Sequence, residues 1–80
     1  MSDQIFRKVS EIVRELFDEY NGPITTNLNA DDVEQWDSLA NVQLMVMVEQ
    51  AFNVRFLPEQ IHRFKNLGDL VSLVEQRILV

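Results

Sequence analysis

The chain has 80 residues, no cysteine and a formal net charge of −6. This length predicts one small domain spanning residues 1–80, and the lack of cysteine excludes disulfides, thiolate zinc sites and cysteine nucleophiles. Binding of DNA or RNA is not expected, because seven Lys and Arg against thirteen Asp and Glu leave no basic cluster. The longest apolar run, residues 44–48, is far too short for a membrane span, and no leader-like segment opens the chain. We therefore expect a soluble, cytoplasmic protein.

The first predicted helix has apolar residues at the helical period over residues 5–20. Ser2 or Asp3 is placed to cap its start. Gly22 and Pro23 end it, because Gly22 is available for the left-handed position that closes a helix and Pro23 cannot continue one.

The segment over residues 21–36 shows no sustained period. A connection of this length predicts a functional or self-packed loop. Two groups of residues organise it, namely the apolar anchors Ile24, Leu28 and Val33 and the turn formers Asn29, Asp31 and Asp32.

The second predicted helix runs from Ser38 to about Phe52 and is apolar on two sides. The broader arc, which we assign to the core, consists of Leu44, Met47, Val48, Ala51 and Phe52. A narrower strip near Ser38 consists of Leu39, Val42 and Val46. Because the core of so small a domain takes the wider arc, we expect the narrow strip to stay at least partly exposed.

The rest of the chain predicts two more helices. A short one begins near Pro58, with Ile61 and Phe64 facing inward, and Asn66 caps the last helix in a capping box with Asp69. The apolar face of the last helix consists of Leu67, Leu70, Val71, Leu73, Val74 and Ile78. The predicted fold is therefore all-α: a small four-helix bundle of three main helices and one short helix, with a long loop between helices I and II.

The tetrapeptide over residues 36–39 is the most informative part of the sequence. Asp37 is a good N-cap candidate, which places Ser38 at the first helical position and on the surface. An anionic group attached to Ser38 would lie at the positive end of the helix dipole. Because no base lies beside it in sequence, Ser38 is better suited to being modified than to nucleophilic catalysis.

An exposed Asp37-Ser38-Leu39 motif that opens helix II of an acidic four-helix domain resembles the acyl carrier protein family. The resemblance covers nearly the whole chain, including residues 49–54 at the end of helix II and residues 66–70 at the start of the last helix. It implies that a phosphopantetheinyl transferase attaches 4′-phosphopantetheine to Ser38 from coenzyme A. It also implies that Asp37 helps to position the serine and the transferase's Mg²⁺. The prosthetic thiol would then carry an acyl or aminoacyl group as a thioester, with no catalysis by the carrier itself.

The same resemblance implies which residues bind partners. The transferase and the enzymes that load and process the cargo would dock at Leu39, Val42, Val46 and Glu49. Two departures from the family pattern are the non-acidic Ala40, Gln43 and Gln50 of helix II and the residues His62, Arg63 and Lys65 of the short helix. They indicate a specialised carrier with dedicated partners, and the pathway is expected to be fatty acid, polyketide or related biosynthesis. Separately, we expect the protein to be a monomer. The sequence leaves the cargo open between fatty acyl, polyketide and amino acid.

Other interpretations fit parts of the pattern. A helical adaptor without a prosthetic group would bind partners through the narrow strip alone. A small hydrolase would need a base near Ser38, and His62, the one histidine, is expected to be solvated. The acidic residues Asp31, Asp32, Glu34 and Asp37 lack the spacing of a calcium loop, so no resident metal is predicted.

The aromatic residues are assigned to packing. Trp36 is predicted to fix the long loop to the core, through contacts other than the polar Asn41 that occupies the usual partner position. The phenylalanines are all assigned to the core: Phe6, Phe17, Phe52, Phe56 and Phe64.

Overall fold

The computed structural model describes residues 3–78, and this part of the chain contains three α-helices and no strand. The helices are α1 at Asp3–Leu16, α2 at Ser38–Phe52 and α3 at Leu67–Ile78. Two 3₁₀ turns lie between them, one at Ala30–Asp32 and one at Pro58–Gln60. The predicted all-α bundle is confirmed, with the second 3₁₀ turn where a short helix is expected. None of the described helices is long and apolar enough to cross a membrane.

One hydrophobic core holds the helices together, with α2 and α3 both packed against α1. Its buried side chains are Val9, Ile12, Val13, Phe17, Leu28, Val33, Trp36, Leu44, Met45, Val48, Phe56, Leu67, Leu70, Val71 and Val74. The predicted loop anchors behave as expected, since Leu28 and Val33 are buried and Ile24 is half-buried. Two of the five phenylalanines are fully in the core, and the other three are half-buried against it.

The end of α1 differs from the prediction. The helix stops at Leu16, and Phe17 to Glu19 form a turn although the apolar period continues to Tyr20. The Arg14 guanidinium closes this turn by donating to the carbonyl oxygens of Tyr20 at 2.9 Å and Gly22 at 3.2 Å. The left-handed conformation predicted for Gly22 is wrong, because no described glycine has a positive φ. Of the two predicted caps, Ser2 lies outside the described residues and Asp3 is the first residue of the helix.

The long loop is tied to the start of α3. The N–H groups of Leu67 and Gly68 donate to the carbonyl oxygens of Leu28 (3.0 Å) and Thr26 (2.9 Å), which satisfies donors at a helix end that has no intrahelical acceptors. The predicted turn formers make a capped 3₁₀ turn, in which Asn29 Oδ1 accepts from Asp31 N at 2.9 Å. The loop is therefore self-packed, and residues in its middle are bonded to the start of α3.

The predicted cap of α3 is confirmed with one change. Asn66 Oδ1 accepts from the N–H of Asp69 at 2.9 Å, as expected of an N-cap. The Asp69 carboxylate accepts from the N–H of Lys65 at 3.1 Å, one residue before the cap. The reciprocal bond of the box therefore lies one residue earlier than the standard pattern.

The buried face of α2 is turned relative to the predicted arc. Leu44, Met45 and Val48 are fully buried, whereas Ala51 is exposed and Met47 is half-buried. At about 100° per residue, the centre of the buried face lies roughly 40° closer to Met45 than predicted. The assignment of Ala51 to the core is therefore wrong, and Met45 is a core residue outside the predicted arc.

Candidate functional site

Asp37 and Ser38 form the start of α2 as the sequence predicts. Asp37 has extended backbone angles, and its Oδ1 accepts from the N–H of Ala40 at 2.8 Å. Its carbonyl oxygen accepts the first intrahelical bond, from the N–H of Asn41 at 2.9 Å. Ser38 is therefore the first helical residue, and its side chain is exposed. In the described part of the chain, no side chain is hydrogen-bonded to Ser38 Oγ.

An apolar strip extends from Ser38 along the exposed side of α2. Its three members are Leu39, Val42 and Val46, which are 71%, 40% and 43% exposed. The expectation that this side of the helix stays exposed is confirmed. Glu49, at the far end of the strip, is half-buried, and its Oε2 accepts from the backbone N–H of Phe56 at 2.8 Å. One oxygen of the Glu49 carboxylate is therefore hydrogen-bonded to the segment that follows α2.

On the other side of Ser38, Asn41 connects three parts of the chain. Its Oδ1 accepts from the indole Nε1 of Trp36 at 3.0 Å, and its Nδ2 donates to the carbonyl oxygen of Ile61 at 2.9 Å. The same Nδ2 lies 3.4 Å from His62 Nδ1. Asn41 thus fixes the loop before α2 and the turn after it to the first turns of α2.

Trp36 is buried, as predicted for a residue that fixes the loop to the core. Its ring stacks on Phe17 with a centroid distance of 5.3 Å and lies tilted against Phe64 at 6.3 Å. The expectation that it avoids Asn41 is wrong, because the indole N–H needs an acceptor when it is buried and Asn41 provides one.

A surface cavity of about 380 Å³ opens between the serine and the Asn41 contacts. Its lining consists of Ala30, Trp36, Asp37, Ser38, Asn41, His62 and Phe64. The cavity therefore brings together residues from the first 3₁₀ turn, the start of α2 and the turn after the second 3₁₀ turn. Ser38 lies between this cavity and the apolar strip.

The remaining candidate residues are exposed and separate from the strip. His62 is exposed, as expected, and Arg63 and Lys65 are exposed too; of these three, His62 lines the cavity beside Ser38. Among the described residues, no three His, Asp or Glu side chains are grouped to hold a metal ion. The structure thus shows Asp37 as a cap, with no cation site built around it.

Sequence reasoning missed Asn41 as a site residue. On a helical wheel it is a polar residue near the core face, and nothing local in sequence reveals that it bonds to Trp36 and to a carbonyl twenty residues later. A usable signal was available, because a buried Trp needs an acceptor and Asn41 lies one turn into the helix that Trp36 precedes.

Both the sequence and the fold are similar to those of known proteins. A family model described as a phosphopantetheine attachment site matches residues 7–74. An acyl carrier protein of Borreliella burgdorferi (strain ZS7) is 30% identical over 76 residues, covering 95% of each chain. An acyl carrier protein of Guillardia theta is 28% identical over 75 residues, covering 94% of this chain and 93% of its own. The solution NMR structure of a holo acyl carrier protein from Geobacter metallireducens superposes with a TM-score of 0.83 at 29% identity, covering 94% of this chain and 86% of that one.

Proposed function

The chain belongs to the acyl carrier protein family, and from this premise we propose that Ser38 is the residue that receives its 4′-phosphopantetheine. The observation that carries the proposal is the position of Ser38, which is exposed at the first residue of α2 and whose hydroxyl has no hydrogen-bond partner among residues 3–78. The residues present fit a tethered phosphate. Asp37 accepts from the N–H of Ala40, whereas the N–H groups of Ser38 and Leu39 at the helix start have no acceptor among the described residues. A phosphodiester on Ser38 would lie beside them at the positive end of α2.

Attachment is a phosphoryl transfer in which Ser38 provides the nucleophile. Its Oγ forms a bond to the coenzyme A phosphorus that bears the pantetheine, and the pyrophosphate P–O bond breaks. The leaving group is 3′,5′-adenosine bisphosphate, and the hydroxyl proton passes to a base of the transferase. Asp37 contributes by fixing the first turn of α2 and by placing a carboxylate where the transferase's Mg²⁺ would approach. Once attached, the arm supplies a terminal thiol that holds an acyl or aminoacyl group as a thioester.

The apolar strip Leu39, Val42 and Val46 is the proposed docking surface for the transferase and for the enzymes that load and process the cargo. Its exposure supports this role, because a protein this small has few reasons to leave three large apolar side chains in water on one helix face. A carrier must release each partner, so the interface should be small and transient. Oε2 of Glu49 is bound to the N–H of Phe56, so Glu49 contributes to the docking surface through the rest of its carboxylate.

We propose that the protein carries the intermediates of a specialised pathway in fatty acid, polyketide or related biosynthesis. Between Ser38 and Val48 the helix has no charged side chain, so an enzyme with a basic docking patch finds little to bind there. This supports dedicated partners that recognise an apolar surface.

We propose that the protein has no catalytic activity of its own. His62 lines the same cavity as Ser38, but its Nδ1 faces Asn41, and no hydrogen bond joins it to Ser38 Oγ in the described residues. A serine nucleophile without a bonded base lacks the arrangement that activates it. A helical adaptor without a prosthetic group would use the same strip, but it gives Ser38 no role.

Incubation with coenzyme A, Mg²⁺ and a broad-specificity phosphopantetheinyl transferase tests the attachment. The intact mass should rise by one phosphopantetheinyl group, and Ser38→Ala should abolish the rise. Ser72→Ala is a matched control, because Ser72 is an exposed helical serine on α3. A wild-type protein that stays unmodified, or a Ser38→Ala variant that is still modified, would contradict the proposal. A helical adaptor would be indicated if the Ser38→Ala variant kept full partner binding and the Val46→Asp variant lost it.

A further inference from the structure

The cavity beside Ser38 has the composition of a small ligand site. Its lining includes the aromatic residues Trp36 and Phe64, and its polar side chains are those of Asp37, Ser38, Asn41 and His62. Its volume of about 380 Å³ falls in the range of small-molecule pockets, roughly 300–1,000 Å³. Ser38, which lies on its border, is the proposed attachment point of a chain that combines a phosphate, a dimethyl group and amides.

The hydrogen bonds around Asn41 fix which atoms face the cavity. An indole N–H can only donate, so the Asn41 oxygen must face Trp36 and its NH₂ group must face Ile61 and His62. An amide NH₂ can only donate as well, so His62 Nδ1 is the acceptor in the 3.4 Å contact. In a neutral imidazole the hydrogen is then on Nε2, and this donor has no acceptor among the described residues.

From this arrangement we infer that the cavity is the resting site of the prosthetic arm, with His62 Nε2 donating to its phosphodiester and the dimethyl group packed on Trp36 and Phe64. The inference rests on the proposed attachment at Ser38. It assigns His62 a positioning role that the attachment reaction itself does not require.

The two sides of Ser38 differ in what they offer a tethered arm. The apolar strip is an exposed helix face with no charged side chain before Glu49, so it can cover an arm from one side only. The cavity covers it from the loop, from α2 and from the turn after the second 3₁₀ turn. An arm that rests in the cavity also leaves the strip free for a docking enzyme.

The charged side chains near Ser38 also favour the cavity over the apolar strip as the position of the arm. Asp37 is the acidic residue of the cavity lining, and its Oδ1 is bound to the N–H of Ala40. His62 is followed by Arg63 and Lys65, which makes the segment after the second 3₁₀ turn a local excess of basic side chains in a chain of net charge −6. A phosphate monoanion on Ser38 is attracted toward this segment.

NMR spectroscopy of the holo protein can test the inference, because the chain has one Trp and one His and both line the cavity. In ¹⁵N-labelled protein converted with coenzyme A and transferase, we expect NOEs between the geminal methyl groups of the arm and the rings of Trp36 and Phe64. The Trp36 indole and His62 ring signals should shift between the apo and holo forms, by at least twice as much as the amide signals of Val42 and Val46.

A matched pair of variants isolates His62. His62→Ala and Arg63→Ala both remove an exposed side chain from the same turn, but only His62 lines the cavity. We expect His62→Ala to weaken the arm NOEs at least twofold, with Arg63→Ala close to wild type and full mass conversion in both. A modified wild-type protein without arm NOEs to Trp36 or Phe64, or with NOEs to the strip, would overturn the inference while leaving attachment at Ser38 intact. A chain that gains no mass would instead overturn the attachment proposal.

Discussion

Helices α1 and α2 are of similar length but distribute their side chains differently. On α1 every exposed side chain is polar or charged, and the buried ones are the apolar residues Val9, Ile12 and Val13. On α2 the one charged residue is Glu49, and three of the exposed side chains are large apolar ones. Burying a Val or Leu side chain stabilises the folded state by about 1.5–3 kcal/mol. The exposed apolar side chains of α2 therefore do not contribute this stabilisation, whereas the buried ones of α1 do. The difference shows that α1 serves the core, whereas α2 serves both the core and a binding surface.

The largest effect should come from testing the two sides of α2 with the same substitution. Leu44→Ala removes a fully buried side chain and should lower the free energy of unfolding by about 2–5 kcal/mol. Leu39→Ala, on the same helix but 71% exposed, should change it by less than about 0.5 kcal/mol. Urea unfolding followed by the fluorescence of Trp36 measures both. Equal losses for the two variants would show that the strip is part of the folded core.

How far the sequence predicts α2 depends on which interactions are local. Its limits at Ser38 and Phe52 were predictable, because Asp37 is a cap whose bond spans three residues. Its buried face was not, because Met45 lies close to Ser38 on a helical wheel and yet is buried two turns further along. The wheel has no coordinate along the helix axis, whereas in the structure the side of α2 that includes Ser38 is exposed at Ser38 and buried at Met45.

The surface role of the strip predicts a kinetic effect without a stability effect. Val46→Asp places a charge and a desolvation penalty in the proposed docking surface, and kcat/KM for phosphopantetheine attachment should fall about tenfold or more, equivalent to about 1.4 kcal/mol. Ala51→Asp is the control, since Ala51 is also exposed on α2 but lies outside the strip. The docking assignment would be wrong if both variants were modified at the wild-type rate.

The candidate site divides in the same way into local and non-local parts. The sequence predicts Ser38, because an N-cap followed by an apolar helix is a short pattern. It does not predict the cavity, because the Asn41 contacts join residues that are five and twenty positions apart and depend on how the turn after α2 folds back. The same limit applies to α1, whose end is set by Arg14 bonding to carbonyl oxygens beyond the apolar period.

A smaller effect should separate the cap of α2 from that of α3. Asp37→Ala and Asn66→Ala each remove a side-chain acceptor for an N–H in the first helical turn, and each should cost about 1 kcal/mol of stability. Only Asp37→Ala should also slow the modification of Ser38, because only that cap positions the serine. Chemical denaturation combined with the mass assay distinguishes the two outcomes. If Asn66→Ala slowed attachment equally, the effect would come from stability alone.

An effect no larger than that of the two N-caps is expected at the other end of α2. Asn53 closes the helix in the left-handed region, with φ 54° and ψ 48°, and its N–H donates to the Glu49 carbonyl oxygen. Glycine adopts this conformation without a Cβ clash, so Asn53→Gly should raise the free energy of unfolding by a few tenths of a kcal/mol, up to about 1 kcal/mol. Asn53→Ala should lower it by about 1 kcal/mol, because an L side chain without a local polar contact is strained there. Because this end lies far along α2 from Ser38, both variants should be modified at the wild-type rate, and a changed rate would show that the whole helix, not its first turns alone, positions the serine.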